Sequence, residues 1–241
     1  MATTDSGALR SYRDAEFPPA KTPWREADFS VIDLEMTGLD SASDEIISFA
    51  TVTVSGGNVR LDDTRYELVR PRRMPDWDTI RIHGLREVDL EDARPLEDHI
   101  DDLLDALTGR PIVAHVAEVE HSFLEAALSS VGMELRNPIV DTAALDRELR
   151  MLRGQRPAAR EPIGLSEMVR SLGLPAHRPH HADGDALTTA QAFIALATHL
   201  DALTPQTVGS LERPREPVKR RGILGWLRRS GGDNERERAR P

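Results

Sequence analysis

Residues 30–40 read SVIDLEMTGLD, and the reading of this stretch decides the fold. Ser30, Val31 and Ile32 form the apolar, β-branched run of a buried central strand, and Met36-Thr37-Gly38 supplies a sharp turn after it. Between them stand two carboxylates, Asp33 and Glu35, one residue apart. A strand has period two, so both acids project side by side from the same face. Like charges so placed repel unless a positive charge lies between them. A strand end facing water is the plain alternative. A buried strand favours the other solution, because α/β sheets place ligands at such strand ends, and a hard divalent cation prefers carboxylate oxygens.

Working outward, residues 45–71 carry two more strand patterns joined at Gly56-Gly57-Asn58, a hairpin turn. Three strands with short links predict an antiparallel meander. Amphipathic helical patterns then alternate with short apolar runs. A helix over 95–109 stops at Gly109, a strand covers 110–115, and a helix covers 119–133. A strand end at 137–142 follows, with Asp141 as N-cap of a helix over 142–152. A loop over 153–164 leads to a short helix over 165–174 and a long one over 183–200. This order predicts an α/β fold, a mixed sheet covered by helices.

The chain has 241 residues, 39% hydrophobic and 30% charged, which suits one globular domain with a sizeable core. The expected division is an irregular lead-in over 1–27, a body over 28–203 and a basic, disordered tail over 204–241. No cysteine is present, so disulfides and thiolate metal sites are excluded. No apolar run is long enough to span a membrane, and the N-terminus lacks the apolar core of a secretory signal. The cytoplasm is the simplest compartment. The net charge of −10 is uneven: from Leu211 onward the chain carries ten basic and five acidic residues, so the body is strongly acidic. Charge alone makes that body a poor nucleic-acid binder, and a phosphate substrate would need bound cations or the tail.

Two further acidic positions complete the pattern. Glu118 and Glu120 follow the strand at 110–115, at a helix start where the macrodipole favours negative charge. The apolar residues Val119, Phe123, Ala126 and Ala127 leave Glu120 beside the buried stripe. Near the long helix, His180 and His181 precede Asp183, which fits an N-cap, and Asp185, which lies inside the helix. A histidine among acids could serve as a general base near neutral pH.

In this order the set resembles the DEDD superfamily of 3′–5′ exonucleases, in its histidine-containing branch, which includes the epsilon proofreading subunit of DNA polymerase III, ribonuclease T and oligoribonuclease. The family's D-x-E-x-T-G is matched by Asp33, Glu35, Thr37 and Gly38. Its H-x-A-x-x-D-A is matched by His180, Ala182, Asp185 and Ala186, and IRIHGL around His83 is similar to its I-x-H-G-I segment. The resemblance runs from about Phe29 to Leu200 and implies a ribonuclease H-like fold with a mixed five-stranded sheet, an antiparallel meander then parallel strands. The middle motif departs. Where the family reads A-H-N-A-x-F-D-x-x-F-L, this chain has AHVAEVEHSFL, so Val116 replaces Asn, Val119 replaces Phe, and Glu120 replaces the metal-binding Asp. Glu keeps the charge but is one methylene longer.

The resemblance implies two-metal hydrolysis of a phosphodiester with two Mg2+ or Mn2+ ions, releasing nucleoside 5′-monophosphates from the 3′ ends of single-stranded DNA or RNA. One ion would be held by Asp33, Glu35 and Asp185, the other by Asp33 and more loosely by Glu120. His180, five residues before Asp185, would be the base, with Glu35 orienting the water. Met36, Thr37, His83 and His115 would contact the terminal nucleotide. The resemblance also leaves open a catalytically weakened relative that binds nucleic-acid ends or a polymerase as a scaffold. A phosphatase-like use of the same site on small substrates is a third expectation.

In the tail, KRRGILGWLRR sets an apolar stretch between two basic clusters. It could hold single-stranded nucleic acid on Trp226 or dock a partner such as DNA polymerase III, a sliding clamp or a membrane surface. A solvated tail without a partner is the plain alternative. Neither DNA against RNA nor the oligomeric state is decided by these residues.

Overall fold

The computed structural model describes residues 6–155 and 163–213. The segment KRRGILGWLRR with Trp226, and most of the loop expected over 153–164, lie outside the described residues. The elements run α1 (Gly7–Asp14), β1 (Phe29–Met36), β2 (Ile46–Ser55), β3 (Asn58–Leu68), α2 (Trp77–His83), α3 (Glu87–Leu90), α4 (Ile100–Leu107), β4 (Ile112–Ala114), α5 (Glu118–Ser129), β5 (Ile139–Asp141), α6 (Thr142–Leu152), α7 (Leu165–Ser171), α8 (Ala182–Asp201) and α9 (Val208–Leu211).

The strands form one five-stranded sheet in the order β3-β2-β1-β4-β5. β1, β2 and β3 pair antiparallel, whereas β1, β4 and β5 pair parallel. The meander and the later strand–helix units therefore meet at β1. Strand parity sorts the core into two layers. Phe29 and Val31 of β1 pack with Ala50, Val52 and Val54 of β2 against Phe193 and Leu196 of α8. Ile32 and Leu34 point the other way, into a cluster with α1, α4 and α5. Asp33 and Glu35 share the parity of Phe29 and Val31, so they lie on the α8 side of the sheet.

Two boundaries differ from expectation. The lead-in is not irregular throughout: α1 starts at the N-cap Ser6, whose hydroxyl accepts the Leu9 N–H, and buries Leu9 and Tyr12. The Tyr12 hydroxyl donates to Asn137 Oδ1, and Asn137 donates in turn to the carbonyls of Leu107 and Arg110. Trp24 is buried edge-on against Phe193. A polar segment with one apolar residue per turn reads as loop until the partner surface that covers it is known. The body also continues past 203, because Val208 and Leu211 are buried and Thr207 bridges to Pro23. No described helix is long and apolar enough to cross a membrane.

Tyr12→Phe leaves Asn137 Oδ1 buried without its donor and is expected to lower stability by about 1–2 kcal/mol in denaturant unfolding. A lead-in that did not pack would show no change.

Candidate active site

β1 and β4 are parallel, so their carboxyl ends coincide, and four elements meet there. β1 delivers Asp33 and Glu35 from its last turn of pleat, α5 delivers Glu120 from its first turn, and α8 delivers Asp185. The facing residues on β2 are small, Ala50 opposite Asp33 and Ser48 opposite Glu35, which leaves room for the start of α8. Carboxylate oxygens of Asp33, Glu35 and Asp185 lie within 4.8 Å of one another. Asp33, Glu35, Glu120, Asp185, His180, Met36, His83 and His115 all line one cleft.

The charges in this cleft are uncompensated by the protein. Burial, then the neighbouring carboxylates, hold Asp33 and Glu35 well above the usual carboxylate range. Burial raises Asp185 to about 7 against the opposing pull of the His180 N–H, and raises Glu120 to about 8. Glu120 Oε2 is buried with no partner among the described residues. The donors are all hard oxygens, and this set fits a divalent cation of the Mg2+ type. Glu120 stands outside the three-carboxylate group, so it would reach a cation by a separate approach. A second group, Glu67, His99 and Asp102, differs: Arg94 lies 3.9 Å from Glu67 and 3.8 Å from Asp102, and Arg65 lies 3.1 Å from Asp102. Arginines neutralise that group, whereas the cleft has none in place.

The His180 loop is bent onto the helix start. His180 has φ 61°, and its N–H donates to Asp185 Oδ2 at 2.8 Å. The His177 N–H donates to Thr188 Oγ1 at 2.9 Å. Gly184 allows this approach, because a Cβ there would lie 2.1 Å from the His177 carbonyl oxygen. The expected capping role of Asp183 does not hold. α8 begins at Ala182 after His181, and Asp183 instead pairs with Arg178 at 2.9 Å, which braces the loop.

Of the four residues expected to contact substrate, Met36 and His83 line the cleft with free faces, and two are committed elsewhere. Thr37 does not line the cleft: its hydroxyl accepts the Glu45 N–H at 3.0 Å and lies 3.3 Å from Asp44 Oδ1, closing the β1–β2 turn. His115 is on the wall, but Nδ1 lies 3.0 Å from Thr142 Oγ1 and Nε2 lies 2.9 Å from the Ile163 carbonyl. Burial lowers its pKa to about 4. A neutral ring with both nitrogens bonded positions chain and has little left for substrate.

Sequence reasoning missed two residues. Asp141, read only as a helix cap, also accepts the Val116 N–H at 3.0 Å. It thereby fixes the turn that aims Glu120. That turn holds Val116 at φ 58°, a conformation Asn tolerates and a β-branched residue resists. Tyr66 stands across Ala50 from Asp33, and its phenol is pushed up by burial and by Asp183 and Glu35. Strand parity with Asp33 was the one signal that could have placed it.

The family described as "Exonuclease", of the RNase T type, matches residues 30–193. The chain belongs to this exonuclease family. Among relatives of this exonuclease-family chain, a DNA polymerase III PolC-type protein of Thermotoga maritima is 31% identical over 194 residues, covering 80% of the chain and 14% of that protein. A DNA polymerase III subunit epsilon-like protein of Rhodobacter capsulatus is 29% identical, covering 83% of the chain and 28% of the relative. The chain thus spans only a small part of these relatives. Among solved structures, exonuclease X in complex with 5′ overhanging duplex DNA superimposes with a TM-score of 0.58 at 22% identity, covering 76% of this chain and 97% of that one. E. coli exonuclease I in complex with a dT13 oligonucleotide gives 0.64 at 16% identity, covering 73% and 42%. These likenesses establish the fold: the expected mixed five-stranded sheet with flanking helices is that of the family.

Carboxyls whose folded pKa is raised bind more protons folded than unfolded between their two pKa values, so stability falls as pH rises through that window. Without added metal, the melting temperature is expected to fall between about pH 5 and about pH 8, and Mg2+ or Mn2+ to restore more at the upper end. A melting temperature independent of both would show that the carboxylates do not hold a cation.

Proposed function

We propose that the chain is a metal-dependent 3′–5′ exonuclease that releases nucleoside 5′-monophosphates from single-stranded DNA ends, with RNA ends as the alternative pool. The observation that carries this is the approach of Asp33, Glu35 and Asp185 to within 4.8 Å in the cleft that His180 and Glu120 also line. Asp33, Glu35 and Asp185 would hold one Mg2+ or Mn2+ ion, and Asp33 with Glu120 a second. Bound there, the cations would supply positive charge against the phosphate and Lewis acidity toward the attacking water.

His180 takes the proton of that water at its imidazole, and the Glu35 carboxylate orients the water. Met36, unbranched and adaptable, packs on the terminal base whatever its identity. Asp185 accepts the His180 N–H and so ties the base to the metal site. The unit doing this work is residues 28–203, extended by α1 and α9. The relatives' names support a setting beside a DNA polymerase, in the cytoplasm; a sliding clamp has no support among the described residues. The weakened-scaffold reading is not favoured, because all five expected catalytic and metal positions line one cleft.

The test is release of mononucleotides from matched 3′-labelled single-stranded DNA and RNA with Mg2+ or Mn2+. Asp33→Ala should abolish release, and His180→Ala should slow it by about a hundred- to ten-thousand-fold. Inert wild type alongside an active Glu120→Asp variant would overturn the reading and leave the scaffold.

A further inference from the structure

His83 ends α2 and is buried, with 3% of its surface exposed. The Leu85 N–H donates to its Nδ1 at 3.0 Å, so Nδ1 is an acceptor and the ring proton resides on Nε2. Nε2 is buried and has no partner among the described residues. A fixed donor without an acceptor is costly in a folded interior, and such groups mark places where something else completes the bond.

The surroundings narrow what that is. His83 forms the α2 wall of the cleft with Thr79 and Ile82, which share one helical face with it. The titratable groups nearest it are His180 and His181 at the start of α8 and Asp76 at the start of its own helix, and burial lowers the His83 pKa to about 4. The ring therefore stays neutral through the working range. A protonated Nε2 cannot ligate a cation. The missing partner is an acceptor, brought by whatever fills the cleft.

We propose that His83 is a specificity residue whose Nε2–H donates to an oxygen of the terminal nucleotide. This rests on the exonuclease reading and deepens it. Two oxygens have the right chemistry, the 3′-hydroxyl and the phosphate.

The variants that test it separate packing from donation. H83N keeps an acceptor near Nδ1 for the Leu85 N–H but lacks the distal donor, whereas H83Q places an amide donor near Nε2. Binding of thymidine 5′-monophosphate with Mg2+ would be measured by calorimetry, beside KM and kcat on single-stranded DNA. H83N is expected to weaken nucleotide binding and raise KM by about tenfold, with kcat little changed and Mn2+ affinity unaltered. H83Q should recover much of the loss. If the 3′-hydroxyl is the acceptor, the deficit of H83N disappears with the 3′-deoxy nucleotide; if the phosphate is, it disappears with thymidine. In the unmutated protein, nitrogen NMR should show His83 as the Nε2–H tautomer, with that proton shifting on nucleotide binding. H83N matching wild type, equal losses in H83N and H83Q, or an Nε2–H unmoved by nucleotide would overturn the proposal while leaving the exonuclease reading intact. A wild type that neither hydrolyses DNA nor binds nucleotide would overturn both.

Discussion

Three carboxylates converge within 4.8 Å in a buried cleft, with a fourth close by, and their mutual repulsion is the constraint on which the structure depends. Without a cation the cost appears as raised pKa values, with burial as the first cause and neighbouring acids next. Such an arrangement survives only because the scaffold over-determines it. Asp33 and Glu35 cannot turn away, since their parity is that of Phe29 and Val31, whose side chains are locked under α8. Asp185 cannot retreat, since α8 is buried along most of its length. Folding energy from the two apolar layers is thus used to hold an unfavourable site that a metal ion relieves.

Around that centre, short-range devices do the aiming. The His180 loop is drawn in by its own N–H on Asp185, by the His177 N–H on Thr188 and by the Arg178–Asp183 pair. Gly184 leaves the space for it. On the opposite side, Asp141 pulls in the Val116 N–H and sets the angle of α5. Thr37 and His115 serve the same end, one closing the β1–β2 turn and the other joining β4 to the Ile163 backbone. Residues that read as substrate contacts in a motif are, in the folded chain, the parts that keep the contacts in place.

The departures at Val116 and Glu120 belong together. Both lie in the turn from β4 into α5, and Val116 holds a left-handed backbone there. The longer Glu120 side chain starts from this turn and ends with Oε2 buried and unpartnered, outside the three-carboxylate group. A methylene added on one side of a metal site moves its oxygens by more than the tolerance of such sites, so the second cation position is where this chain differs most from its relatives.

Much of this was legible in the residues alone. Strand period places Asp33 and Glu35 on one face, the apolar stripe sets Glu120 beside buried residues, and the spacing from His180 to Asp185 joins base and ligand. These are local regularities of backbone geometry, and they need no partner to be read. The N-terminal helix was not legible, because its few apolar residues gain meaning only from the surface that buries Tyr12. Nor was the difference between Thr37 or His115 and His83. Each is a polar residue in a motif, and whether its hydrogen bonds are satisfied within the protein depends on Glu45, Thr142 and Ile163 arriving from elsewhere in the chain. Chemistry at a position follows from residue type and spacing; the availability of that chemistry to a ligand follows from contacts that only the folded chain creates.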